Sequence, residues 1–278
     1  MQCLADYDID GYYVISKLFI KRETILKSNN YSFNQVFVWR KKMKYKITGD
    51  NLQLVTLEIE PNEKMYAEAG ALVYMSNNMN MEAKMRGGFL KGLGRKLAGE
   101  TLFLTEFTSV GGTGLVSFGG RAPGTIKAIE LSEGKEFLVQ KDAFLCAEDS
   151  VDMSIAFQKR LGSAFFGGEG FILEKLTGNG TVFIHACGDF VEFDLKSDQV
   201  MKVDTGSVVG WDGTVSYDIE RVKGIKTMFF GGEGLFLTTL KGPGHVIIQS
   251  LNLGNLASAL QPFLPKQTSG GPGFRIGP

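Results

Sequence analysis

Three glutamates stand at corresponding places in three similar segments, and they are the acidic side chains best placed to do chemistry. Each follows a glycine and precedes an apolar strand: Glu100, Glu169 and Glu233. Alternation along each strand puts the glutamate on the same face as core-type leucines and phenylalanines. One interpretation is a ring of three carboxylates that binds a hard cation. The other, which we favour, is a structural glutamate that accepts N–H bonds from its own glycine-rich turn, and we therefore predict no metal and no cofactor.

Basic side chains gather in the segment before each of these glutamates. Residues 83–99, 153–168 and 221–232 contain no acidic residue, although the whole chain balances 30 basic against 30 acidic residues. Such a balance excludes a generally basic nucleic-acid binder but leaves room for a local patch. Apolar pairs such as Phe165 and Phe166 lie in the same segments. The candidate anion-binding residues are Lys84, Arg86, Lys91, Arg95, Lys96, Lys159, Arg160, Arg221, Lys223 and Lys226.

A concentration of basic and apolar residues suits anionic lipid headgroups or nucleic acid. The alternative is a set of solvated loops whose phenylalanines cover the core. The two histidines, His185 and His245, have no ligand at metal-binding spacing, and no nucleophile or phosphate-loop motif occurs. We therefore predict that the protein is not an enzyme.

The elements that position these residues are strands that recur along the chain. Apolar and polar residues alternate from Met79, from Val151 and from Val215, which is typical of half-buried strands. The first two of these residues are 72 apart and the last two are 64 apart, and the same offsets relate many other positions. We therefore predict three copies of one unit, each with four or five strands, at about 44–125, 126–190 and 191–253.

The fold class follows from this repeat and from the 36 glycines, which indicate many tight turns. We predict an all-β protein in which three small β-sandwich or double-stranded β-helix-like units pack about a pseudo-threefold axis. The residues Gly70, Asp142 and Gly206 share one position of the repeat. Because glycine and aspartate tolerate the left-handed backbone, this set predicts a left-handed turn there.

Both ends of the chain differ from the repeats. Residues 1–42 hold only one glycine, and we interpret them as an N-terminal extension, either an accessory element or the product of a misassigned start, before a β domain at 43–253. Residues 254–278 are predicted to form a short helix near Leu256–Leu264 and a disordered tail. Three unpaired cysteines, and the lack of an apolar run long enough to span a bilayer, favour a cytoplasmic protein.

Three motifs in this order resemble a known family: GETLFLTEF at 99–107, VDTGSVVGW at 203–211 and GGEGLFLTTLKGPGHVIIQ at 231–249. Together they are similar to the altered-inheritance-of-mitochondria family over about residues 43–252. The resemblance implies a fold similar to the tryptophan RNA-binding attenuation protein, with a triplicated unit. It supplies no catalytic residues.

Three functions are compatible with the sequence. The leading hypothesis is a non-enzymatic binding or scaffold protein whose basic pole faces an anionic membrane surface or a protein partner, with self-association through β edges. RNA binding is an alternative by analogy with the fold alone, and the paired phenylalanines do not form a base-stacking pattern. An enzyme of unknown chemistry is the third.

Overall fold

The computed structural model describes residues 43–86, 102–159, 170–222 and 236–264. This part of the chain is all-β, as predicted, with nineteen strands and one short α-helix. Strand β2 shows why these residues form strands. Val55, Leu57 and Ile59 are fully buried, whereas the residues between them are partly exposed, so the alternation of the sequence becomes the two faces of a strand.

The strands follow one another with short connections. The first ten are β1 Lys44–Thr48, β2 Leu54–Ile59, β3 Lys64–Glu68, β4 Leu72–Met75, β5 Met79–Arg86, β6 Leu102–Ser109, β7 Gly114–Gly119, β8 Gly124–Leu131, β9 Phe137–Gln140 and β10 Phe144–Glu148. The remaining nine are β11 Val151–Lys159, β12 Phe171–Gly178, β13 Gly180–Cys187, β14 Phe190–Leu195, β15 Val200–Asp204, β16 Val208–Asp212, β17 Ser216–Arg221, β18 Phe236–Lys241 and β19 Gly244–Gln249.

The strands form four antiparallel sheets. Their strand orders are β1-β2-β7-β4 in the first sheet, β5-β6-β3-β10-β13-β8 in the second, β11-β12-β9-β16-β19-β14 in the third and β15-β18-β17 in the fourth. Eighteen strands lie between Leu54 and Gln249. The prediction of four or five strands in each of three copies was therefore too low, because several strands of four to six residues are too short to show a clear alternation.

The central strands of the second and third sheets are buried on both faces. In β3, Met65 and Ala67 belong to a core cluster shared with the first sheet, whereas Tyr66 belongs to a cluster shared with the third sheet. In β9, Val139 joins that same cluster, and Leu138 joins a third cluster shared with the fourth sheet. The four sheets are thus linked by three successive hydrophobic cores.

The left-handed turn predicted at three equivalent positions occurs at only one of them. Gly70 has φ +88°, but Asp142 and Gly206 lie in short 3-10 helices at Lys141–Ala143 and Thr205–Ser207. The prediction was wrong at these two positions. Gly206 instead allows a close approach, because a Cβ there would lie 3.1 Å from the side-chain amide nitrogen of Asn252.

The helix α1 spans Leu253–Leu260 and is followed by a 3-10 turn at Gln261–Phe263. It begins three residues before the predicted helix, because the side chain of Asn252 accepts a hydrogen bond from the N–H of Asn255 and caps the first turn. None of the helices in the described ranges is long and apolar enough to cross a membrane.

Candidate functional site

Four of the ten predicted anion-binding residues lie within the described strands, near the end of a strand in each case. Lys84 and Arg86 belong to the last three residues of β5, Lys159 ends β11, and Arg221 ends β17. The other six lie outside the described residues: Lys91, Arg95, Lys96, Arg160, Lys223 and Lys226. The same is true of Glu100, Glu169 and Glu233, which precede β6, β12 and β18.

The three strands that carry these basic residues have the same role in their sheets. Strands β5, β11 and β17 are each the outermost strand of a sheet, and each pairs with the next strand along the chain, β6, β12 or β18. Each basic segment therefore joins two antiparallel strands at the edge of a sheet.

The described basic side chains differ in their electrostatic surroundings. Lys84 lies 3.1 Å from a carboxylate oxygen of Glu82 and 3.7 Å from one of Glu106. The hydrogen bond to Glu82 and the charge of Glu106 raise the pKa of Lys84, so part of its charge is compensated. Arg221 is exposed and forms no ion pair with another described residue. Arg221 is thus the more available of the two for an external anion.

The structure also places polar side chains at the junctions between sheets, and the sequence analysis missed this cluster. Arg121 lies 2.7 Å from a carboxylate oxygen of Glu68 and donates a hydrogen bond of 3.0 Å to the carbonyl of Ala69. The side-chain amide of Gln140 donates to the carboxylate of Asp142 at 3.0 Å. Arg121, Asp142 and His185 line two adjoining small cavities.

The cavity that Gln140 and Asn252 share with these residues has a volume of about 20 Å³, enough for about one water molecule. Burial lowers the pKa of His185, so its imidazole is neutral at physiological pH. Gly120 lies against this ring so closely that a Cβ there would overlap it. The cluster therefore has the packing of a core element, with no room for an organic substrate.

Glu174 is the most perturbed acid in the described part of the chain. The residue is only 2% exposed, and its Oε2 atom has no hydrogen-bond partner. Burial, followed by the negative charge of Glu68, raises the pKa of Glu174 to about 8, although the positive charge of Lys141 opposes the rise. Glu174 is therefore mostly protonated at neutral pH.

A second charged group lies on the surface around His245. Its Nδ1 atom lies 2.7 Å from Asp194, and its Nε2 atom lies 2.8 Å from Glu192, which also bonds Lys127 at 2.6 Å. Partial burial lowers the pKa of His245, but the two carboxylates outweigh it and the net pKa is raised. In the described ranges, no three His, Cys, Asp or Glu residues are arranged to hold a metal ion.

One signal in the sequence could have revealed the polar cluster. Glu68, Gln140 and Asp204 follow one another at the same offsets of 72 and 64 residues as the strands. All three end short apolar strands, β3, β9 and β15, and Gln140 is 5% exposed. A polar residue repeated at the end of an apolar strand is thus a sign of a junction. The partners Arg121 and His185 have no such periodicity.

The comparisons with known proteins agree over most of the chain. A family model described as mitochondrial biogenesis AIM24 matches residues 45–251. An uncharacterized protein of Streptococcus pyogenes serotype M6 is 32% identical over 224 residues, which cover 78% of this chain and 88% of that protein. The X-ray crystal structure of a protein from Streptococcus pyogenes superposes with a TM-score of 0.64 at 27% identity, covering 80% of this chain and all of that one.

Proposed function

The chain belongs to the mitochondrial biogenesis AIM24 family, and on that premise we propose that it is a non-enzymatic binding or scaffold protein that docks a basic surface on an anionic membrane. The relative from Streptococcus pyogenes is named as an uncharacterized protein, so it brings no activity to this chain. The proposal therefore depends on the residues of the chain itself.

One observation carries the proposal. All three acid-free basic segments join the two strands of an outer strand pair, at the edge of the second, third and fourth sheets. A connection at a sheet edge lies away from the hydrophobic cores, where its charges keep access to a partner. Phenylalanine pairs in the same segments, such as Phe229 and Phe230, suit insertion between lipid headgroups better than sequence-specific contacts with bases.

The finer architecture belongs to the same proposal. We infer three units of six strands, β2–β7, β8–β13 and β14–β19. The pairings support this division, because β7, β13 and β19 each pair with the first and third strands of their own unit, and β6, β12 and β18 each pair with the second and fourth. The pseudo-threefold axis and the likeness to the tryptophan RNA-binding attenuation protein stay predictions.

The remaining parts of the proposal concern the boundaries and the compartment. We place the functional domain at 43–253, with residues 1–42 and 254–278 outside it. Cytoplasmic placement is supported by Cys146 and Cys187, which are buried and form no disulfide.

The test is binding to vesicles of phosphatidylcholine with and without phosphatidylserine, across a salt series, using the full chain. We expect flotation with the anionic vesicles only, and weaker flotation as salt rises, because exposed charges are screened. The variant Lys91→Ala/Arg95→Ala/Lys96→Ala should bind several-fold more weakly, since each basic residue near an anionic surface contributes about 1 kcal/mol.

The matched control removes three charges elsewhere. Lys135, Lys196 and Lys241 are exposed and lie at turns outside the basic segments, so Lys135→Ala/Lys196→Ala/Lys241→Ala should float like the unchanged chain. Equal loss in both variants would mean that only net charge matters. A parallel filter-binding assay with RNA separates the alternative: salt-sensitive retention of RNA without flotation would replace the membrane by a nucleic acid.

A further inference from the structure

Consecutive units are joined in the same way twice within the chain. Strand β10 pairs with β3, with Cys146 opposite Ala67 and Ala147 opposite Tyr66. Strand β16 pairs with β9 in the corresponding antiparallel register, with Gly210 opposite Val139 and Trp211 opposite Leu138. These two junctions create the six-stranded second and third sheets.

Two strands at opposite ends of this series correspond to the junction strands but have a free edge. Strand β4 stands 72 residues before β10, and β15 stands 64 residues after β9. Strand β4 ends the first sheet and β15 ends the fourth, and no pairing joins them in the described ranges. Strand β4 even shares an irregularity with its counterparts, because its register with β7 shifts between Leu72 and Tyr74 just as that of β10 with β13 shifts between Phe144 and Cys146.

The composition of β4 is that of an interior strand. Its sequence is LVYM, and it is the one outermost strand in the four described sheets without a charged residue. The other seven, β1, β5, β8, β11, β14, β15 and β17, each carry at least one Lys, Arg, Asp or Glu. Charges on edge strands prevent pairing with a second molecule, so the edge of β4 has none of this protection.

Exposure supports the same conclusion. Tyr74 and Met75 are 48% and 36% exposed, whereas Ala147 and Trp211, the counterparts of Met75, are fully buried in the junctions. Lys202 in β15 is likewise exposed, although its counterpart Leu138 is 7% exposed. Both free edges thus present backbone and apolar surface that the two internal junctions cover.

We propose that β15 of one copy of this chain pairs antiparallel with β4 of a second copy, in the register that the two internal junctions define. Tyr74 would then lie opposite Val203, and Met75 opposite Lys202. The occupant is a second copy because β15 is the strand that continues the series β3, β9. Such a contact joins two different surfaces, so it leaves a free edge at each end and extends to an open chain or a ring of copies. This inference is independent of membrane binding.

The test is disulfide trapping in full chains that carry Cys3→Ser, since Cys146 and Cys187 are buried. One variant adds Met75→Cys and another adds Lys202→Cys. Mixing the two under mild oxidation should give a disulfide-linked pair of one copy of each, at least tenfold more than either variant alone. Chains that stay monomeric in the mixture would overturn the proposal. The double variant Met75→Cys/Lys202→Cys distinguishes the alternative, because a disulfide within one chain only would mean that β4 and β15 pair internally.

A charge test checks the register without cysteines. Met75→Lys places a second lysine opposite Lys202 and should weaken self-association by about fivefold in sedimentation velocity, whereas Met75→Glu should maintain it. Leu115→Lys is the matched control, since Leu115 is 42% exposed on β7, a strand of the same sheet with both edges paired. Equal effects of Met75→Lys and Leu115→Lys, or of Met75→Lys and Met75→Glu, would contradict the register.

Discussion

The hydroxyl groups of Thr205 and Thr238 share a buried hydrogen bond of 3.0 Å between the fourth sheet and the turn that follows β15. Sixty-four residues earlier the same two positions are Lys141 and Glu174. The third unit thus closes this position with a neutral pair, and the second unit with ionisable residues. The same backbone arrangement is therefore insensitive to pH in one unit and sensitive to it in the other.

The first prediction concerns Glu174. Its pKa is about 8 in the folded protein, above the ordinary 4.5, so the folded state holds the proton more tightly than the unfolded state. This contribution to stability is fully present below pH 4.5 and is lost as the pH rises to about 8. The loss is on the order of 4 kcal/mol. Urea unfolding from pH 5 to 9 should show it in the unchanged chain, and Glu174→Gln should remove it.

Glu133→Gln is the control for Glu174→Gln, because Glu133 is exposed in the turn between β8 and β9. It should leave the pH profile unchanged. If the profile of Glu174→Gln also falls between pH 5 and 8 by the full amount, Glu174 is not the group responsible.

The second prediction uses the fact that the chain has two histidines. His245, beside Glu192 and Asp194, should titrate above pH 6.5, and the buried His185 below it. Stability from His245 is complete below pH 6.5 and is lost as the pH rises through its folded pKa. Imidazole NMR titration checks both values. Glu192→Gln should lower the pKa of His245 and leave that of His185 in place; equal shifts in both would contradict the assignment.

The third prediction concerns Gly124, which starts β8 beside β13. A Cβ at this position would overlap the carbonyl oxygen of Ala186, which is backbone and cannot move aside. Gly124→Ala should therefore cost roughly 3 kcal/mol or more in the free energy of unfolding. Gly70→Ala is the comparison: Gly70 has φ +88° and open space around it, so backbone strain alone should cost about 1 kcal/mol. Thermal unfolding of both variants measures the difference, and similar costs would refute the close approach.

The fourth prediction concerns residues 1–42. The three hydrophobic cores are built from residues between Met43 and Val246–Ile248, so a chain that starts at Met43 should fold with the same β-sheet circular dichroism and cooperative unfolding. A truncated chain that is insoluble, or that unfolds without a transition, would show that residues 1–42 are part of the domain.

Much of the architecture could be predicted from local patterns. Alternation along β2 and β11, and the 36 glycines, identified an all-β chain. The motifs at 99–107, 203–211 and 231–249 identified the family, because they preserve residue types at spacings that local turns require. The number of strands was underestimated where a strand such as β9, Phe137–Gln140, is buried on both faces and shows no alternation.

The candidate sites divide in the same way. The basic segments could be found from the sequence, because charge runs need no tertiary contact to be recognised. The junction of Arg121 with Glu68 could not, since the two residues are 53 positions apart and belong to different strand connections. Equally, nothing local distinguishes Glu174 from an exposed strand glutamate.

The sequence by itself determined the fold class, the offsets of 72 and 64 residues and the location of the basic segments, because these depend on residue types and short-range spacing. Tertiary structure alone decided that Glu174 is buried with a raised pKa and that β4 and β15 keep free edges. The physical reason is that burial and strand pairing are set by which distant segments pack together. An identical local pattern is interior in β10 and exposed in β4, because only β10 has a neighbouring unit beside it.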